Sequence, residues 1–266
     1  MGDKNDGHTL ANNTVAGCNA VMRPRSLPTL LLLAMLTACT HAPSRNPLAK
    51  WVPSPNHNAR QAILIVLHAT EQDSVEKSLV TLRTRNSGGR VSAHYLIGRD
   101  GDLYQLVADE RRAWHAGGGR WGTITDVNSS SIGIELDNNG SDPFSPAQIA
   151  TLLRLLDDLC TRLDIPRTQI IAHADMAPTR KRDPSRLFPW QQLADAGFGR
   201  WPEAVLPEAP VNFDAVQALR VLGYPMDDPA AAIRAFHRHF RGIDSDAGTL
   251  DADDARMLYS LTRAPR

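Results

Sequence analysis

The run Ile63-Leu64-Ile65-Val66-Leu67 restricts the fold more than any other stretch of this chain. Its five consecutive aliphatic side chains leave no polar face for water. Such a strand is stable only when both its faces are covered, as an inner strand of a sheet with other elements packed on it. Further strand signals follow at Ser92–Ile97, Ser131–Leu136 and Ile170–Ala172. Arg99-Asp100-Gly101 carries the Asp-Gly pair of a tight hairpin. Between the third and fourth strand signals the pattern turns helical. Ser145 is placed to cap, Pro146 to occupy the first helical position and Gln148 to complete a capping box. Leu152, Leu155, Leu156 and Leu159 then recur at helical spacing through Leu163. Strands mixed with helices predict an α/β (α+β) fold over residues 59–200, a mixed central sheet flanked by helices. The chain is 42% hydrophobic, enough for a core of that kind.

The flanks read differently. Residues 201–210 hold three prolines and no periodicity, the character of a linker. Residues 211–266 predict a small domain of three short helices, marked by Val216, Leu219 and Leu222, by Ala232, Phe236 and Phe240, and by Met257, Leu258 and Leu261. His237 and His239, two apart on one helix, face different directions and read as surface residues. At the other end, residues 22–38 read as a lipoprotein signal peptide. Met22-Arg23-Pro24-Arg25 is a basic start, and Leu30 to Leu36 is an apolar run shorter than the roughly 20 residues a spanning helix needs. Leu36-Thr37-Ala38-Cys39 closes it and resembles the lipobox of bacterial lipoproteins, which implies lipidation of Cys39 and a membrane anchor there. Thr40 in place of an aspartate fits delivery to the outer membrane, facing the periplasm. Met22 is the expected start, with residues 1–21 upstream of it. Residues 39–58, rich in Pro, Ser, Asn and Ala, read as a tether.

Composition removes several function classes. The 29 basic and 29 acidic side chains balance, so no nucleic-acid partner is expected. Three cysteines, without CxxC spacing, make neither a disulfide framework nor a cysteine zinc site. Cys160, at the end of an apolar helical stretch, reads as a buried hydrophobe.

The chemistry concentrates at strand ends. His68 ends the first strand and His173 the last. Side chains there project from rigid scaffold into a cleft. A catalytic zinc takes three protein ligands, and two histidines with a carboxylate meet that count. Asp183 and Asp175 compete for the third position, and spacing does not choose between them. Glu135 interrupts the apolar strand Ile132-Gly133-Ile134-Glu135-Leu136. Burial there would raise its pKa toward that of a general base, while an edge position would leave it on a solvent face.

Six motifs in order resemble one known family, the type 2 N-acetylmuramoyl-L-alanine amidases, relatives of the peptidoglycan recognition proteins. They are His68-Ala69-Thr70, Val91-Ser92-Ala93-His94-Tyr95-Leu96-Ile97, Arg99-Asp100-Gly101, Ala113-Trp114-His115-Ala116-Gly117, Ser131-Ile132-Gly133-Ile134-Glu135, and His173-Ala174-Asp175 with Lys181-Arg182-Asp183-Pro184. The likeness spans residues 58–200, and with the lipobox it is greatest to the outer-membrane lipoprotein members. It implies one zinc ion held by His68, His173 and Asp183, which settles Asp183 over Asp175. It implies Glu135 as catalytic glutamate and Lys181 as stabiliser of the tetrahedral intermediate. The substrate implied is peptidoglycan or its muropeptides, cut at the amide between N-acetylmuramic acid and L-alanine. Trp114 and His115 are expected to line the cleft beside substrate, His115 alternatively from just behind it; His94, inside a strand, reads as a core or supporting residue, with substrate contact as the alternative. The C-terminal helices resemble a peptidoglycan-binding domain, with Phe236-His237 where Phe-Gln is usual. The rival reading is a wall-binding protein that keeps the fold without turnover.

Overall fold

A computed structural model describes residues 45–59 and 62–263. In chain order the strands are β1 (Lys50–Trp51), β2 (His57–Ala59), β3 (Leu64–Ala69), β4 (Arg85–Asn86), β5 (Gly89–Arg90), β6 (Tyr95–Ile97), β7 (Leu103–Gln105), β8 (Arg111–Ala113), β9 (Ser131–Leu136) and β10 (Ile170–Ala172). The helices are α1 (Val75–Arg83), α2 (Val127–Ser130), α3 (Pro146–Leu163), α4 (His173–Met176), α5 (Trp190–Asp195), α6 (Ala215–Leu222), α7 (Pro229–Arg241) and α8 (Ala252–Arg263).

Six strands form the main sheet in the order β1-β7-β6-β9-β3-β10. Leu64–Leu67 of the aliphatic run lie in β3, where all six residues are buried, while Ile63 precedes the strand and is exposed. Its neighbours β9 and β10 both run parallel to it, as the two-sided burial of an unbroken apolar strand requires. The Asp-Gly signal is the β6–β7 hairpin, an antiparallel pair. Helix α3 begins as its sequence dictates: the Ser145 hydroxyl accepts the Gln148 backbone N–H and Pro146 opens the first turn.

The two faces of the sheet carry different work. Ile65, Leu67, Ile132 and Ile134 share one core with Leu152, Leu155 and Leu159 of α3. Leu219, Phe236, Phe240, Leu258 and Leu261 of the C-terminal helices belong to the same core. Leu64 and Val66 point the other way, toward Ala116, Val127 and Met176. Parallel register puts His68 beside Glu135, and both belong to the set that includes Leu64 and Val66. The polar site and the large apolar core therefore lie on opposite sides of one strand. The described residues make one compact unit, and no helix among them is long and apolar enough to cross a membrane.

Two expectations change. The described part of the stretch read as tether is built into the fold. Asn46, Ser54 and Asn56 are buried. The Asn46 backbone N–H donates to Gln105 Oε1 at 2.8 Å and its side-chain amide to Asp158 Oδ2 at 2.8 Å. Polar composition looked like solvated chain, but here it supplies buried hydrogen bonds. His237 and His239 are not on the surface. They do face different directions, and both directions are interior: His237 Nε2 meets Asp254 Oδ2 at 2.9 Å, and His239 Nδ1 meets Asp175 Oδ2 at 2.7 Å. Helix α7 is packed against α4, α5 and α6, and nine of its thirteen residues are buried, so it has little exposed surface on which to place them. Cys39 and the signal segment lie outside the described residues.

Because Phe236 is fully buried in the core shared by sheet and C-terminal helices, Phe236→Ala should cost about 3–5 kcal/mol. Calorimetry should show one transition moved down as a whole. Two separated transitions, with the upper unmoved, would contradict a shared core.

Candidate active site and metal centre

Three strands and one turn assemble the site. His68 is carried by β3, Glu135 by the paired position of β9, and His173 by the first residue of α4, directly after β10. Asp183 follows on the next loop, which is tied back by the Ala174 backbone N–H donating to the Asp183 carbonyl at 2.9 Å. His68, His173 and Asp183 are all buried, and one donor atom of each lies within 4.8 Å of the others.

The triangle has edges of 2.9 Å (His68 Nδ1 to His173 Nδ1), 3.1 Å (His173 Nδ1 to Asp183 Oδ2) and 3.5 Å (His68 Nδ1 to Asp183 Oδ2). Ligands about 2.0–2.1 Å from a tetrahedral zinc stand about 3.3 Å from one another. The donor set is also the right one: two imidazoles and a carboxylate.

The surrounding hydrogen bonds decide which nitrogen of each ring is free. Ser131 donates its hydroxyl to the Val127 carbonyl, so its oxygen accepts from His115 Nε2 at 3.2 Å. His115 Nδ1 is then the acceptor and takes the His68 Nε2–H at 3.0 Å. His173 Nε2 donates to the Ala116 carbonyl at 3.2 Å. Both imidazoles are thereby fixed with Nδ1 lone pairs aimed at one point, the tautomer a metal requires. Gly133 makes room for this relay, since a Cβ there would meet the His115 ring at 2.4 Å.

Electrostatics follow from burial. Burial and the neighbouring His173 lower the His68 pKa to about 4, so the ring is neutral. Burial works against the Asp183 carboxylate, but the His173 and His68 rings beside it hold its pKa well below the usual carboxylate range. Burial, reinforced by the Asp183 charge, pushes Glu135 up to about 8, with the Lys181 ammonium opposing. Glu135 Oε2 is shut in without a hydrogen-bond partner. A cleft of about 160 Å³ opens over the group, lined by Trp114, Glu135, Lys181 and Asp183 among others.

Some expected residues act elsewhere. His94 is fully buried: its Nδ1 accepts the Gly133 backbone N–H and its Nε2 donates to the Arg111 carbonyl, both at 2.9 Å. A ring so placed pins β6 to β9 and cannot touch substrate. His115 borders the cleft, and its two nitrogens are taken up by His68 and Ser131, so it holds the His68 ring in place. Asp175 faces away from the triangle and bonds Tyr224, His239 and the Ala172 backbone. Ser131 and Asn128, which holds the backbone N–H groups of His115 and Ala116 at 3.0 and 2.8 Å, were not foreseen. The glycine inside the apolar strand at 133 was the available signal of a close approach.

The comparisons agree with this geometry. Residues 58–186 match the family described as N-acetylmuramoyl-L-alanine amidase. The chain is 38% identical over 231 residues to N-acetylmuramoyl-L-alanine amidase AmiD of Escherichia coli, covering 74% of this chain and 81% of AmiD. It is 31% identical over 164 residues to 1,6-anhydro-N-acetylmuramyl-L-alanine amidase AmpD of Enterobacter cloacae, covering 54% of this chain and 88% of AmpD. The solved complex of Escherichia coli AmiD with anhydro-N-acetylmuramic acid-L-Ala-D-gamma-Glu-L-Lys superposes with a TM-score of 0.67 at 34% identity, over 80% of this chain and 92% of that one. AmpDh3 from Pseudomonas aeruginosa does so with a TM-score of 0.68 at 30% identity, over 82% and 97%.

Glu135 supplies a pH test on metal-free protein. Its pKa rises from 4.5 to about 8 on folding, so its contribution to stability is intact below the unfolded value and is lost as pH rises through the folded one. Glu135→Gln should therefore melt higher than the parent above about pH 8 and match it near about pH 5. Equal melting curves across that window, measured with chelator present, would remove the raised pKa.

Proposed function

The chain belongs to the N-acetylmuramoyl-L-alanine amidase family, and we propose that it works with one zinc ion held by His68, His173 and Asp183, with Glu135 as general base and acid. It is a hydrolase of peptidoglycan, cutting the amide between the lactyl group of N-acetylmuramic acid and L-alanine. The observation that carries the zinc reading is the coincidence of three convergent ligand atoms with a buried, unpartnered Glu135 oxygen in the same cleft.

When bound, zinc would supply a Lewis acid at the scissile carbonyl and make water easier to deprotonate. The protein groups do the remainder. Glu135, whose pKa burial raises to about 8, takes a proton from the attacking water and passes it to the departing amine of L-alanine. Water oxygen joins the carbonyl carbon, the C–N bond breaks, and an acid and an amine leave. Lys181, whose charge is felt by both Glu135 and His68, stands in the cleft to stabilise the oxyanion. The His115–Ser131 relay keeps the His68 ring from turning. Trp114 offers an apolar wall on which a sugar or peptide can rest.

The anchor completes the reading: Cys39 carries lipid and holds the enzyme at the outer membrane, facing the periplasm, with peptidoglycan or its muropeptides as partner.

Glu135→Ala should abolish cleavage of a defined muropeptide, read by mass spectrometry of free glycan and stem peptide, while zinc content stays at one per chain. His68→Ala should lose both, because two remaining ligands hold zinc poorly. Full activity in Glu135→Ala, or in chelator-treated protein shown to be zinc-free, would defeat this mechanism. For the anchor, Cys39→Ala should move the protein from the membrane fraction to the soluble periplasm and end labelling by a radioactive fatty acid. An unchanged distribution would defeat it.

A further inference from the structure

The Asp175 carboxylate receives three hydrogen bonds in the interior. Oδ2 accepts the Ala172 backbone N–H at 2.8 Å and His239 Nδ1–H at 2.7 Å, and Oδ1 accepts the Tyr224 hydroxyl at 2.9 Å. Asp175 is 1% exposed, Tyr224 3% and His239 6%. A buried carboxylate is costly unless its lone pairs are filled, and here they are.

The three donors come from two places. Ala172 is the last residue of β10, immediately before His173, so its bond to Asp175 closes the strand-to-helix turn from which the His173 imidazole projects. Tyr224 and His239 belong to the C-terminal segment, one following α6 and the other on α7. His239 is held by stacking, with Trp190 at 3.8 Å and 19° and with Phe240 at 4.2 Å and 12°. Tyr224 lies edge-on to Trp121 at 5.2 Å. The match to the amidase family ends at residue 186. The carboxylate thus lies inside the matched region, while two of its donors and the two rings that stack on one of them lie beyond it.

We propose that the C-terminal helices position a metal ligand: Tyr224 and His239 fix Asp175, and Asp175 fixes the Ala172–His173 turn. These three are positioning residues, remote from substrate. The inference rests on the zinc reading of His68, His173 and Asp183. It makes the C-terminal segment part of the metal centre's outer support, in addition to any wall-binding role. Groups that orient a ligand without touching the metal commonly change affinity by about 10–100-fold when removed.

The test uses the full chain and zinc alone as probe, with affinity from chelator competition. His239→Phe keeps a stacking ring and removes the donor. His239→Asn keeps an N–H at the Nδ1 position and removes the ring. Tyr224→Phe removes one hydroxyl with little change of shape and guards against a variant that does not fold. His239→Phe and Tyr224→Phe should each weaken zinc roughly 10–100-fold and shrink the rise in Tm that saturating zinc produces, and His239→Asn should recover much of the affinity. If all three variants bind zinc as the parent does while the metal-free Tm falls, the network only holds the helices down and the proposal is overturned. A parent that binds no zinc is a different result: it overturns the metal reading itself, and this inference with it.

Discussion

Two unprotonated ring nitrogens repel when brought close, yet His68 Nδ1 stands 2.9 Å from His173 Nδ1, with a carboxylate oxygen completing the triangle. That arrangement has to be imposed by the fold. The parallel pairing of β3 with β9 and β10 imposes it, because the register fixes which residues end side by side. Hydrogen bonds on the far nitrogens, His115 for one ring and the Ala116 carbonyl for the other, remove the tautomers that would relieve the repulsion. The aliphatic residues of β3 matter for the same reason. They bury the strand so completely that His68, next to its last residue, has no freedom to drift.

The sequence made the scaffold readable where a single local rule sufficed. Ile63–Leu67 required an inner strand, and Ser145-Pro146-Gln148 marked the start of α3. His173 was visible as a residue ending a strand, and Glu135 as a charge inside an apolar one. The choice of Asp183 over Asp175 was not local: it depended on which carboxylate the folded loop returns to the triangle, and family likeness supplied it. His94 and His115 stood in recognisable motifs, yet their tasks depend on what fills their second nitrogens, which no spacing encodes. His237 and His239 were misplaced because helical periodicity tells which residues share a face and not how many faces are covered. Asn46 and its neighbours were misread because polar composition resembles solvated chain whether or not partners wait in the fold.

Division of labour across β3 ties these points together. Alternate residues of one strand serve a large apolar core and a small polar cleft, so the two are separated by one backbone thickness. The C-terminal helices pack on the apolar side, yet through Tyr224 and His239 they reach the turn that bears His173. A substitution distant in sequence can therefore be near in effect, and the amidase region and the helices behind it are best treated as one mechanical body.

The taper of the main sheet has its own consequence. The six-residue strands β3 and β9 lie inside, while the outermost strands are the two-residue β1 and the three-residue β10. A rim this short offers a stranger's backbone few unpaired amides, and the exposed Lys50–Asp102 ion pair beside β1 keeps that rim polar. Edge-to-edge accretion of sheets, the usual route from folded β-structure to fibrils, has almost no template here. A sheet so finished can be crowded against its own copies without templating their aggregation.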